Sequence, residues 1–164
     1  MTAALAQALS RLDPKHRTAL EWFVSKAGKD VPWPEPLGDG TLLATRAKGI
    51  YKPEWSEYAL SVRQTIDSPY ADRDPERRDD GTWTYVYHQE GTEAAFRGDL
   101  FTNRALLACL KDKVPVGVLR QLTERPNPTY NVLGLALVAR WDDGFFILEG
   151  FGPRGQARQA ADDV

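Results

Sequence analysis

Three aromatic residues spaced two apart, Trp83, Tyr85 and Tyr87, must share one side of an extended strand, because strand side chains alternate with a period of two. Just ahead of them runs a charged segment, residues 67–81, that carries Tyr70, Asp72 and Asp74. Aromatic faces suit any planar base, and a carboxylate beside them accepts hydrogen bonds from an exocyclic amine. One strand tyrosine and Tyr70 would form the two walls of a slot, with Asp72 or Asp74 as the acceptor. The plainer alternative is that the stripe is simply a core face.

Signatures of catalysis are otherwise missing. There is no Gly-x-Ser-x-Gly elbow, no Gly-x-x-x-x-Gly-Lys phosphate loop, and no Glu-x-Lys of the kind that ends many metal-dependent nuclease sites. His88-Gln89-Glu90 matches the His-x-Glu half of a zinc deaminase, but the other half needs two cysteines and Cys109 stands alone. With His16 and His88 the only histidines, neither a structural zinc site nor an internal disulfide can be built. No catalytic residue, metal or cofactor is expected.

Basic residues are scattered but gather in loops near the candidate slot. Arg46, Lys48 and Lys52 belong to the first strand candidate and its exit, and Arg73, Arg77 and Arg78 lie in the charged segment. Arg97 and Arg104 come at or before the start of a short helix, and Arg120 and Arg125 come late. The 21 Lys and Arg are outnumbered by 23 Asp and Glu, for a net charge of -2. A protein of that balance does not coat nucleic acid through bulk electrostatics, so any polyanion must be held by a local patch.

These residues need elements to position them. Leu5, Leu9 and Leu12, then Leu20, Phe23, Val24 and Ala27, recur at the spacing of one helix face, predicting one or two helices over residues 3–28. Asp13-Pro14 reads as an N-cap and first helical position, with Gly28 at the far end. The Pro-rich stretch 31–36 is expected to be an extended connector. Strands are predicted over 41–47, 58–66, 82–88, 114–122, 130–141 and 145–151, the last two joined by the hairpin signal Asp142-Asp143-Gly144. A helix over 103–111 with Thr102 as its cap interrupts them. The expected class is α+β, a strongly curled sheet or β-barrel with an N-terminal helical layer and one short helix.

At 164 residues, 42% hydrophobic and with 5 Trp, 6 Tyr and 6 Phe, the chain has the length and core material of about one domain. Its longest apolar run, 132–139, falls far short of the roughly 18 residues that span a bilayer. The N-terminus lacks a charged n-region and an uninterrupted apolar stretch, so no membrane partner and a cytoplasmic location are expected. Residues 152–164, poor in apolar content, read as the start of a linker.

The order of segments resembles an SRA (SET and RING associated) domain. The resemblance runs through Lys48-Gly49-Ile50-Tyr51-Lys52-Pro53, Tyr58-Ala59-Leu60-Ser61-Val62, Ser68-Pro69-Tyr70-Ala71-Asp72-Arg73-Asp74 and Trp83-Thr84-Tyr85-Val86-Tyr87. It continues in Asn103-Arg104-Ala105-Leu106, in Val114-Pro115-Val116-Gly117-Val118-Leu119-Arg120, and in Tyr130 with Gly134-Leu135, covering about residues 41–151. More narrowly, the chain is similar to the N-terminal domain of bacterial modification-dependent restriction endonucleases that carry a C-terminal HNH nuclease.

The resemblance implies a PUA-like curled barrel that grips methylated double-stranded DNA and flips 5-methylcytosine into a pocket. By position it makes Tyr70 and Tyr85 the stacking walls, Asp72 the acceptor for the cytosine amine, and Val86 a backbone contact with a share of the methyl-facing wall, with Asp74 and Tyr87 beside them. Asn103, Arg104 and Arg120 match its landmarks and join Arg46, Lys48, Lys52, Arg73, Arg77 and Arg78 as the DNA-binding set. Three departures stand out: Ser68-Pro69 replaces a glycine-rich pair, Arg73 splits the double acid, and Tyr85-Val86-Tyr87 stands for Tyr-Thr-Gly. The implied organisation is a helical segment with its connector (1–36), the reader domain (37–151) and a linker (152–164) toward an HNH domain absent from this chain. The reader itself would be non-catalytic. The alternative is a PUA-like domain that binds RNA or acts on a nucleobase.

Overall fold

The computed structural model describes residues 3–46, 48–66, 74–89 and 101–158. Helix α1 spans Ala3–Ser10 and α2 spans Pro14–Lys26. The Asp13 carboxylate accepts the Lys15 amide at 2.9 Å, satisfying one of the orphan N–H groups of the first turn. His16, Ala19, Leu20 and Phe23 form the buried stripe of α2, at the spacing of one helix face.

The strands that follow are β1 (Asp30–Pro32), β2 (Ile50–Tyr51), β3 (Ser61–Gln64), β4 (Glu76–Arg77) and β5 (Trp83–His88). After helix α3 (Phe101–Asp112) come β6 (Val116–Gln121), β7 (Thr129–Asp142) and β8 (Phe145–Gly150). Their order across the sheet is β2-β3-β6-β7-β8-β5-β4, with β1 pairing β7 on the edge opposite β6. Among the described strands only β3 and β6 pair in parallel, so the sheet is mixed. The β7–β8 hairpin turns through Asp143 (φ 49°) and Gly144 (φ 84°), two successive left-handed residues that match the twist of the flanking strands.

The sheet is strongly curled. Ile50 from β2 and Trp83, Tyr85 and Tyr87 from β5 share one buried cluster, although β2 and β5 lie near opposite ends of the strand order. The Tyr87 hydroxyl packs against Gly49 so closely that a Cβ there would collide with it. Among the described residues no ladder joins β2 to β4, so the curl stays open rather than closing into a barrel. Ala105, Leu106 and Cys109 of α3 fill the concave side. On the convex side, Leu5 and Leu9 of α1 and Leu20 and Phe23 of α2 pack with Leu60, Leu119, Val132 and Leu135.

At four places the local structure differs from the expectation. The described residues of 41–47 form no strand, because side chains rather than a ladder bind the carbonyls of Leu43, Thr45 and Arg46. Ser61 Oγ donates to Leu43 O at 2.7 Å, and Arg63 Nη2 donates to Thr45 O at 3.0 Å. The 31–36 connector begins as β1, an edge strand where the missing N–H of Pro32 is tolerated. Thr102 lies inside α3 rather than capping it. Residues 152–156, expected to begin a linker, fold back: Gly152 N donates to Gln156 O at 2.7 Å, and Gln156 Nε2 to Asp80 O at 3.0 Å. No helix among the described residues is long and apolar enough to cross a membrane.

Two predictions follow from the packing. Gly150 sits opposite Trp83 in the β5–β8 ladder, and the indole occupies the place of its missing side chain. Gly150→Ala should therefore destabilise by about 1–3 kcal/mol of overpacking, read from the denaturant midpoint. His16 is 1% exposed, edge-on to Trp55 at 5.8 Å, and its pKa is lowered from 6.5 to about 4 by desolvation, against a smaller opposing pull from Asp13. The unfolded chain thus binds the extra proton first. The His16 contribution is intact above about pH 6.5 and drains as pH falls toward 4, by about 3 kcal/mol in all. Denaturant unfolding of His16→Phe beside the parent at pH 7.5 and 4.5 should show the smaller loss in the variant.

Candidate nucleic-acid interface

The burial of β5 alternates strictly, so Trp83, Tyr85 and Tyr87 turn into the concave interior while Thr84, Val86 and His88 turn outward. Trp83 is 2%, Tyr85 1% and Tyr87 6% exposed, and all three belong to the main core cluster. Val86 accordingly shares a strand but not a face with the two tyrosines, and only its backbone can adjoin what their rings line. Tyr70, Asp72 and Arg73 lie outside the described residues. Asp74 is exposed, and its Oδ1 accepts from Arg120 Nη1 at 2.6 Å, which ties the exit of the charged segment to β6. This pair brings two residues of the expected site into direct contact.

The remaining basic candidates divide by environment. Arg77 is exposed on β4 and Arg104 on α3. Arg46 stacks over Trp33, with its guanidinium carbon 4.3 Å from the ring centroid. Lys48 lies 5.3 Å from the Phe101 ring centroid, and Lys52 Nζ donates to Pro53 O at 3.1 Å. Those two lysines line a depression shared with Leu42, Trp55 and Phe101, all three more than a third exposed.

Two members of the expected DNA-binding set are buried or paired within the described fold. Asn103 is 0% exposed, at the root of α3. Arg78 donates to the Glu149 carboxylate at 2.9 Å and to the Thr84 hydroxyl, and Thr84 Oγ1 in turn bonds Glu149 at 2.8 Å. Glu149 is 5% exposed, so the arginine neutralises a carboxylate that the sheet has largely removed from water.

A second basic group was not legible in the sequence. Arg63 alternates with apolar neighbours as a solvent-facing strand residue would, yet every residue of β3 is buried, because both faces of the sheet are covered there. Its side chain meets Arg46, Arg125, Trp33 and Tyr130 at one cleft. No local pattern announces that meeting, since the five residues come from four separate segments.

No protein-family profile matches the chain, and no curated protein matches it. Solved structures to which it is similar include the SUVH5 SRA in complex with fully methylated CG DNA, at 20% identity and TM-score 0.37, over 68% of this chain and 78% of that one. The SUVH5 SRA complex with methylated CHH DNA gives 20% identity and TM-score 0.36, over 68% and 77%. KRYPTONITE in complex with mCHH DNA, an H3(1-15) peptide and SAH gives 20% identity and TM-score 0.37, over 87% of this chain and 38% of that one. Each is a distant likeness.

Arg78→Ala tests this pairing. Leaving Glu149 buried without its partner should cost about 2 kcal/mol or more in urea unfolding.

Proposed function

We propose that this chain is a non-catalytic reader of 5-methylcytosine in duplex DNA, which everts the base into an aromatic slot and serves as the targeting module of a modification-dependent HNH endonuclease. The observation that carries the reading is the inward row Trp83, Tyr85 and Tyr87 on the concave side of a curled sheet, preceded in the chain by the segment of Tyr70, Asp72 and Asp74. The segment order set out above supports it, as does the Asp74–Arg120 pair that anchors the end of that segment.

The energetics are compatible with binding alone. Extruding a base costs a few kcal/mol, which stacking and hydrogen bonds on the base edge offset without any reacting group. Tyr85 is held by the core, so its ring is fixed before a base arrives, and admitting the base beside it requires the groups that cover the ring to move. The methyl group contributes about 0.8 kcal/mol by transfer and about 1–3 kcal/mol in a tailored pocket. Thymine offers a carbonyl where cytosine offers an amine, so a carboxylate there discriminates more strongly than the methyl wall.

The test is a titration of matched duplexes differing only at one C5 position. Methylated duplex should bind more tightly by roughly 5- to 150-fold, following the 1–3 kcal/mol range. Tyr70→Ala and Asp72→Asn should abolish that preference, whereas Tyr85→Phe, which keeps the ring and the core, should retain most of it. Equal affinity for both duplexes, or preferential binding of single-stranded RNA in competition, would sink the reading.

A further inference from the structure

Beside the β3–β6 pair lies a cleft of about 460 Å³ lined by Arg46, Arg63 and Arg125, with Trp33 and Tyr130 as aromatic walls and Glu124 as the single acidic residue of the lining. Arg63 is 8% exposed, and its hydrogen bonds go only to carbonyl oxygens: Nη2 reaches Thr45 O at 3.0 Å, and Arg46 O and Lys48 O at 3.4 Å each. Its Nε is buried with no hydrogen-bond partner. None of the three arginines forms an ion pair among the described residues.

Carbonyls carry partial charge and leave a guanidinium uncompensated, whereas buried cations in proteins are ordinarily paired. The crowding sharpens the imbalance. Arg46 and Arg63 both approach the Trp33 ring, at 4.3 and 5.5 Å from its centroid, so two like charges share one indole. Three planar donor forks around a pocket with one carboxylate form a receptor for a tetrahedral oxyanion.

We propose that this cleft is an anion site for a phosphate group, held by Arg46, Arg63 and Arg125. Its occupant is a phosphate of the DNA backbone beside the everted nucleotide, or a free phosphate of the same chemistry. The backbone source rests on the reading of the chain as a base-flipping protein; the anion site does not. Placement favours the backbone: Thr65 and Ile66 line the cleft, and Ile66 N donates to Gln121 Oε1 at 3.0 Å immediately before the segment that carries Tyr70 and Asp72.

The test follows the arginine Nε–H resonances while inorganic phosphate is titrated into the full chain, and separately measures the salt dependence of duplex binding. The variant is Arg46→Gln/Arg125→Gln, which leaves buried Arg63 and its carbonyl contacts in place. Phosphate should shift the Arg63 resonance in the parent, at least about tenfold more weakly in the variant, and the log–log salt slope for duplex should fall in magnitude by about 1–2. A weakened phosphate response with an unchanged slope assigns the site to free phosphate. No phosphate-dependent shift in the parent, or an equal one in the variant, overturns the site. The ratio of methylated to unmethylated affinity reports independently: its absence alongside a working phosphate response would remove the base-flipping reading and leave the anion site standing.

Discussion

The Arg63 guanidinium is the point on which the arrangement of this surface depends. One nitrogen holds the carbonyls of Thr45, Arg46 and Lys48, a stretch of chain with no ladder of its own. Ser61 does the same for Leu43 from two residues away on β3. Together they replace strand pairing with side-chain capture, and in doing so they set Arg46 against Trp33 and Lys48 against Phe101. A lysine in place of Arg63 would carry the charge but not the flat guanidinium that faces the Trp33 ring at 5.5 Å.

On the proposed reading, the aromatic row of β5 serves two ends with one set of side chains. As core, Trp83 and Tyr85 must be packed without gaps, and the indole fills the space over Gly150 while the Tyr87 hydroxyl fills that over Gly49. As walls of the proposed slot, the same rings would have to meet a base. A curled sheet would reconcile these demands by concentrating its inward side chains at a narrow concave axis, where a displaced neighbour rather than a rebuilt core would make room.

Electrostatics here is a matter of placement rather than amount. A net charge of -2 gives no long-range attraction to a polyanion. What distinguishes the arginines is whether a carboxylate already answers them: Arg78 is matched by Glu149 and Arg120 by Asp74, while Arg46, Arg63 and Arg125 converge without an ion-pair partner among the described residues. Arginines of equal charge in the sequence thus differ in what they have left to bind.

Much of the framework was legible in the residues themselves. The Asp13-Pro14 start of α2, the alternation of β5 and the Asp143-Gly144 hairpin follow from local rules, since capping, pleating and left-handed turns involve residues only a few positions apart. The fate of the polar side chains was not. Arg78 and Glu149 are 71 positions apart, and Arg63 and Thr45 are 18 apart. Residues 41–46 carry strand-forming composition but lose their ladder to those distant donors, and Asn103, outwardly a surface residue of a short helix, ends at the bottom of the core. Periodicity tells which way a side chain points along its own segment; which carbonyl, carboxylate or empty cleft it then meets is decided only when remote segments are brought together by the curl of the sheet.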